Sequence, residues 1–434
     1  MFRTATIAFL TFAASLSAQV ISNWSGGGDG PDFSDPLNWD NMIVPGSLDT
    51  AFFGSAADGY TITYENGPID VASLYLATPA LDGGPFINGD LDITVSDYLY
   101  INSGGITSDS GSAAINIMNT GELEITGTAD ISFIGRAIYM DDETEMNFSG
   151  TNTVYFQNTT VDNYGDMYLD NPVNLHNDGN STIYNYGLLV RATNEGEAVI
   201  GVDVYSGGQV AAVDGADLTF TGNYVQSEGD LILEAGSTIT FSGSASIGYG
   251  GVAGEGIIRN NTGEVLSLTG IGIDPLSNAE AVFTLDAMPE PGKLIFEGNV
   301  AFDQNSAFYL DLHGPNSGEY DQIEFVSGFG DFTEGPDIIL FGYDNFSSSD
   351  VLTIFEGTYT GQFSYFGDYY ADGALLPLYD SLTYDYLGDF ELNYLASSIT
   401  LSNFTPVPEP QTWALMGLGG ALIGLWVRRR LARG

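Results

Sequence analysis

The chain has no cysteine and only two histidines, His176 and His313, among 434 residues. Without cysteine it forms no disulfide staples, has no thiol nucleophile and binds no zinc or iron–sulfur cluster through thiolates. Basic residues are almost as scarce, with nine Lys and Arg against 57 Asp and Glu, a formal charge of −48. A surface of that sign repels phosphate backbones and anionic bilayers, which excludes nucleic acid as a partner and docking through a basic patch. The body between Gln19 and Pro410 also lacks any long apolar pattern with a 3.6-residue period, so none of it reads as an amphipathic helix. Neither histidine lies in a His-Glu-x-x-His pair or near a Gly-x-Ser-x-Gly elbow. His176, within Asn174 to Asn177, and His313, after the strand 308–312, read as turn or surface residues rather than catalytic bases.

Short alternating strands are abundant, each bounded by Gly, Asn or Asp. Gly89 to Val95, Gly121 to Gly127, Gly229 to Glu234 and Gly236 to Gly243 each place one apolar face inward with period two. The expected class is all-β. Strand spacing alone fits a sandwich or a solenoid. The shared Gly-acid-Leu-x-Ile pattern and Asn-rich turns such as Asn174 to Asn180 favour a parallel β-helix over residues 60–300. Residues 301–404 then read as an antiparallel β cap that blunts its open end.

The two ends read as addresses. One positive charge at Arg3, an uncharged apolar run from Ala5 to Ala14 and small residues Ser15, Ser17 and Ala18 give the three-part layout of a secretory signal peptide over residues 1–18. At the other end, Val407, Pro408, Glu409 and Pro410 precede a hydrophobic run at 413–427, then Arg428, Arg429, Arg430 and Arg433. A helix over 413–427 spans about 22 Å against a hydrocarbon core of about 30 Å. It is short for a permanent anchor but sufficient for a transient transmembrane helix with its arginines on the cytoplasmic side.

These C-terminal features resemble the PEP-CTERM sorting signal of Gram-negative bacterial proteins. The resemblance implies export through the Sec machinery and transient inner-membrane anchoring. It further implies removal of the tail by a membrane protease, exosortase, which recognises Val407-Pro408-Glu409-Pro410. Delivery would be to the cell surface or the exopolysaccharide matrix. A looser resemblance covers Asn23 to Gly27, Phe33 to Trp39 and Val44 to Phe53, similar to the opening module of autotransporter-like β-strand-repeat surface proteins. Gly318 to Phe325 resembles the Tyr-Asp-Gln turn that follows the last coils in such proteins. The expected organisation is a signal peptide at 1–18, an N-terminal β cap module at 19–59, the solenoid at 60–300, the antiparallel cap at 301–404 and the sorting signal at 405–434.

With both addresses removed, Arg136, Arg191, Arg259 and Lys293 face 57 acids, a body charge of −53. Hard divalent cations are natural partners for such a surface. The weak calcium candidates are Asp29 and Asp32, in a single Gly-Gly-x-Gly-x-Asp match at Gly27 to Asp32, and the acidic cluster Asp141, Asp142, Glu143 and Glu145. No other cofactor is expected. The expected function is a non-enzymatic surface or matrix protein that associates with exopolysaccharide. One alternative is a polysaccharide hydrolase or lyase, which needs a cleft holding a carboxyl of raised pKa. The other is a carbohydrate-binding adhesin, which needs an exposed aromatic stripe.

Overall fold

The computed structural model describes residues 19–407 apart from 58, 65–66, 78–83, 112, 275–290, 344 and 366–367. The expected signal peptide, Pro408 to Pro410, the helix at 413–427 and Arg428, Arg429, Arg430 and Arg433 lie outside the described residues. Among the described residues no helix is long and apolar enough to cross a membrane. Strands dominate from Ile21 to Pro406, interrupted by two single-turn 3-10 helices, Pro36–Asn38 and Ser55–Ala57. The body is an all-β parallel solenoid, consistent with its alternating patterns and missing helical period. It divides into two compact units, residues 19–165 with 178–180 and residues 166–177 with 181–407.

In the first unit each regular coil has three strands. Ala113–Ile117 lies parallel to Arg136–Met140, which lies parallel to Thr160–Asn163. Glu122–Ile125 stacks on Glu145–Phe148, and Gly104–Thr107, Ile131–Ile134 and Thr153–Gln157 make the third face. A residue meets the one 23 positions on, as Ala137 meets Thr160. Period two then buries Leu123, Ile125, Met146 and Phe148 and leaves Glu122, Glu124 and Glu145 facing out. The first layer is filled by Trp24, Phe33, Trp39 and Phe53. Their ring centroids lie 5.1–5.4 Å apart along Phe33–Trp39, Trp24–Phe53 and Trp24–Trp39, and Trp39 Nε1 donates to the Phe33 carbonyl at 2.9 Å. These are the aromatics of the opening motifs, and each buried ring contributes about 1.5–3 kcal/mol relative to exposure.

In the second unit the coil shortens to 21 residues. Leu189, Val210, Leu231, Val252 and Ile273 stack in one interior column that continues through Phe308 to Ile338. Later coils lengthen, with Leu310 against Leu340 and Ile257 against Ile295. Parallel pairing carries on through Gln322–Phe332 against Leu352–Gly361. The Tyr320-Asp321-Gln322 turn therefore opens a further parallel layer rather than following the last one. Antiparallel pairing joins Leu352–Gly361 to Ser398–Pro406, and Tyr386–Leu395 to both Ala374–Asp380 and Ser398–Pro406.

Stacked coils bring backbones close at the corners. Gly208, Gly229 and Gly250 recur every 21 residues; a Cβ on Gly229 would lie 2.1 Å from the Gly208 carbonyl oxygen, and one on Gly250 1.8 Å from that of Gly229. Gly229 also has φ +75°, which an L side chain adopts only at a cost. Gly229→Ala should therefore lower the melting temperature well beyond Gly263→Ala, whose φ is +81° but whose Cβ would meet open space. The second variant loses only the left-handed penalty of about 1–2 kcal/mol. Equal shifts of the two variants in thermal denaturation would contradict this packing of the corner.

Candidate functional site

Where the scarce cations go decides what the surface can bind. Arg136 donates to the carbonyls of Leu91 at 2.9 Å and Thr107 at 2.8 Å, and also to Gly89 and the Tyr64 hydroxyl. Arg191 donates to the carbonyls of Leu169 at 2.5 Å, Gly196 at 2.9 Å and Glu195 at 3.3 Å. Both are interior, 1% and 0% exposed, and burial pulls the Arg191 pKa down. Arg259 pairs with Glu297 at 2.5 Å, and Lys293 lies 2.9 Å from Glu324 and 3.8 Å from Glu356. All four cations of the body are thus either inside or already paired.

The acids singled out in the sequence do not converge. Asp29 is exposed, and half-buried Asp32 accepts hydrogen bonds from the backbone and hydroxyl of Ser34. Asp141 accepts from the Asp142 backbone at 3.0 Å in the turn before Glu145–Phe148, with Asp142, Glu143 and Glu145 exposed around it. His176 is exposed on Asn174–Asn177. Val407 donates its backbone N–H to Leu387 at 2.9 Å, so the chain is held up to the residue before Pro408. An aromatic stripe does form in the first unit. Phe52, Tyr75 and Tyr100 stack in register, joined by Tyr98, all half-buried. Their rings pack on one another at 5.5–5.9 Å along Phe52–Tyr75, Tyr75–Tyr98 and Tyr75–Tyr100, and the Tyr98 hydroxyl donates to Glu124.

The carboxylates that do converge were missed in the sequence. Asp274, Asp311 and Asp321 each place an oxygen within 4.8 Å of the other two. Among the described residues they are the one such group of three. The register of Ile273 with Phe308 aligns the end of Leu266–Asp274 with Ala307–Leu312, and a bridge from Leu312 to Tyr320 folds Asp321 back beside Asp311. Asp321 is fully buried and accepts the backbone N–H groups of Gly292 at 2.8 Å and Asp311 at 2.6 Å. This is the physical work of the Tyr-Asp-Gln turn. Asp311 is 7% exposed. With Asp274 it lines a cavity of about 320 Å³ whose other walls include Tyr309, His313, Tyr343 and Tyr384. The structure thus places His313 at this cavity, 5.1 Å from the Tyr343 ring.

Burial, helped by the negative charge of Asp311, pushes the Asp274 carboxyl up to about 7. Burial alone takes Asp311 to about 6. Asp321 is raised well above the ordinary carboxyl range because burial outweighs its two backbone hydrogen bonds. Folded carboxyls then keep protons that unfolded ones have lost, so folding takes up protons above about pH 4. The stabilisation is complete below the ordinary value of 3.8 and is lost as pH rises to about 7. In chelator-containing buffer, Asp274→Asn should flatten the decline in melting temperature between pH 4 and 7 and be the more stable protein above it. Parallel profiles for variant and wild type would refute this account of the cluster.

Residues 406–430 match the family model of the PEP-CTERM protein-sorting motif. No curated protein and no solved structure matches the chain. The motif supports an exported bacterial protein that exosortase processes and sorts to the cell surface.

Proposed function

We propose that this chain is a non-enzymatic scaffold of the cell surface or exopolysaccharide matrix of a Gram-negative bacterium. The apolar run at 413–427 would anchor it transiently in the inner membrane before exosortase removes the tail. The carrying observation is the sorting motif at 406–430, which begins where the last strand, Ser398–Pro406, ends. The charge arrangement supports the same reading. With Arg136 and Arg191 inside and Arg259 and Lys293 paired, the surface offers acids to its surroundings, and these hold hydrated divalent cations that an acidic polysaccharide can share.

Two observations narrow the enzyme alternative. A lyase acting on uronates needs Lys, Arg or calcium to offset the substrate carboxylate, and every Lys and Arg of the body is committed elsewhere, so only a calcium-dependent lyase fits. A glycosidase of the inverting kind needs its carboxyls about 6.5–9.5 Å apart to hold a water between them, whereas Asp274, Asp311 and Asp321 approach within 4.8 Å, nearer the roughly 5–5.5 Å of a retaining pair. Intact-mass analysis of the mature protein from its native host, with both termini mapped, tests the proposal. A C-terminus between Val407 and Gln411 is expected. A tail still running to Gly434 would make it an ordinary anchor and remove the main support for a matrix role.

A further inference from the structure

The geometry points to a divalent-cation site at Asp274, Asp311 and Asp321, of a size suited to calcium and open to the cavity beside it. Calcium binds oxygens at about 2.3–2.6 Å, so ligands on opposite sides of one ion lie roughly 5 Å apart. Three carboxylate oxygens all within 4.8 Å of one another therefore fit around a single ion. Magnesium at about 2.0–2.1 Å demands a tighter octahedral set, which makes it the weaker occupant.

Asp311 supplies the independent reason to expect a ligand. Its side chain is only 7% exposed and lines the cavity. Its carboxylate accepts no hydrogen bond among the described residues; the two bonds at this residue that involve Asp321 use the Asp311 backbone. A buried carboxylate with no partner is strongly disfavoured unless a proton or a cation neutralises it. The four cations of the body do not, since Arg136 and Arg191 serve carbonyls while Arg259 and Lys293 serve glutamates. Asp321 can serve both its backbone donors and an ion, because each carboxylate oxygen has a second lone pair.

The column that ends at Asp274 makes the same point. Val190, Ala211, Ile232 and Ala253 occupy this position in successive coils, all buried and apolar, and the next residue in register is Asp274. An acid enters the column where it comes within reach of Asp311 and Asp321. Three protein oxygens fill half or less of a six-to-eight-fold calcium shell, and the rest opens on the cavity.

Titration calorimetry of the full-length protein with calcium chloride, at about 0.15 M NaCl to screen the diffuse acidic surface, tests the site. One saturable site per chain is expected. It should be lost in Asp311→Asn and in Asp274→Asn and retained in an Asp141→Asn/Glu145→Gln double variant. Calcium at about 100 times Kd should raise the wild-type melting temperature by about 3–6 °C and leave Asp311→Asn unmoved; circular dichroism checks that each variant is folded. A saturable site that survives in both folded Asp variants, or no saturable site in the wild type, overturns the assignment. Either failure leaves the sorting proposal intact, since that rests on residues 406–430.

Discussion

Parallel stacking in register sets each side chain against its counterpart one coil away, 21 positions on for Leu189, Val210 and Leu231. Inside, like on like is favourable, and it yields the aliphatic column and the stacked pairs Phe133–Phe156, Phe220–Phe241 and Phe296–Phe325, at 5.6–5.7 Å. Outside, the same rule sets acid against acid, as for Glu122 with Glu145 and Glu197 with Asp217, and like charges directly opposite destabilise a sheet. The fold therefore tolerates its acids through solvent exposure and through the few cations placed between them, Lys293 between Glu324 and Glu356 being one. Coil length is the quantity under constraint. At the corners it is enforced by glycines whose neighbours leave no space for a side chain.

The fold was largely legible because period two and the absence of a helical period are local properties. Glu122 to Ile125 announced its inward face directly, whereas in Asp230 to Phe241 both faces are buried over Leu231 to Leu233 and Ser237 to Phe241. Coil length was legible in principle, since Gly208, Gly229 and Gly250 recur every 21 residues, but a corner glycine looks the same as a turn glycine until the backbones are stacked. The sorting motif was legible because it is a contiguous string. The carboxylate cluster was not. Asp274 comes from the coil before Asp311, while Asp321 returns to Asp311 across a local bridge, and each looks like one more acid among 57. Local density pointed instead to Asp141 to Glu145, yet crowding along one turn disperses side chains into solvent. The one available signal was Asp321 itself, an acid in a turn motif whose backbone-tying role implies burial.

Two of the four cations of the body, the interior arginines, are not placed for ion pairing. A guanidinium surrounded by carbonyl oxygens is held by dipoles spread over several residues, and Arg136 collects them from Gly89, Leu91 and Thr107. Such an arrangement ties successive layers together without an acid, at the cost of burying a charge. It also removes two of the four cations of the body from any external role.

That removal has a colloidal consequence. A surface left with one dominant sign has few places to pair with a second copy of itself, so molecules at high density keep apart by osmotic pressure of their counter-ions. A multivalent ion held in common, or added salt, weakens that repulsion. Divalent-cation concentration and ionic strength then bear on how closely two such surfaces can approach.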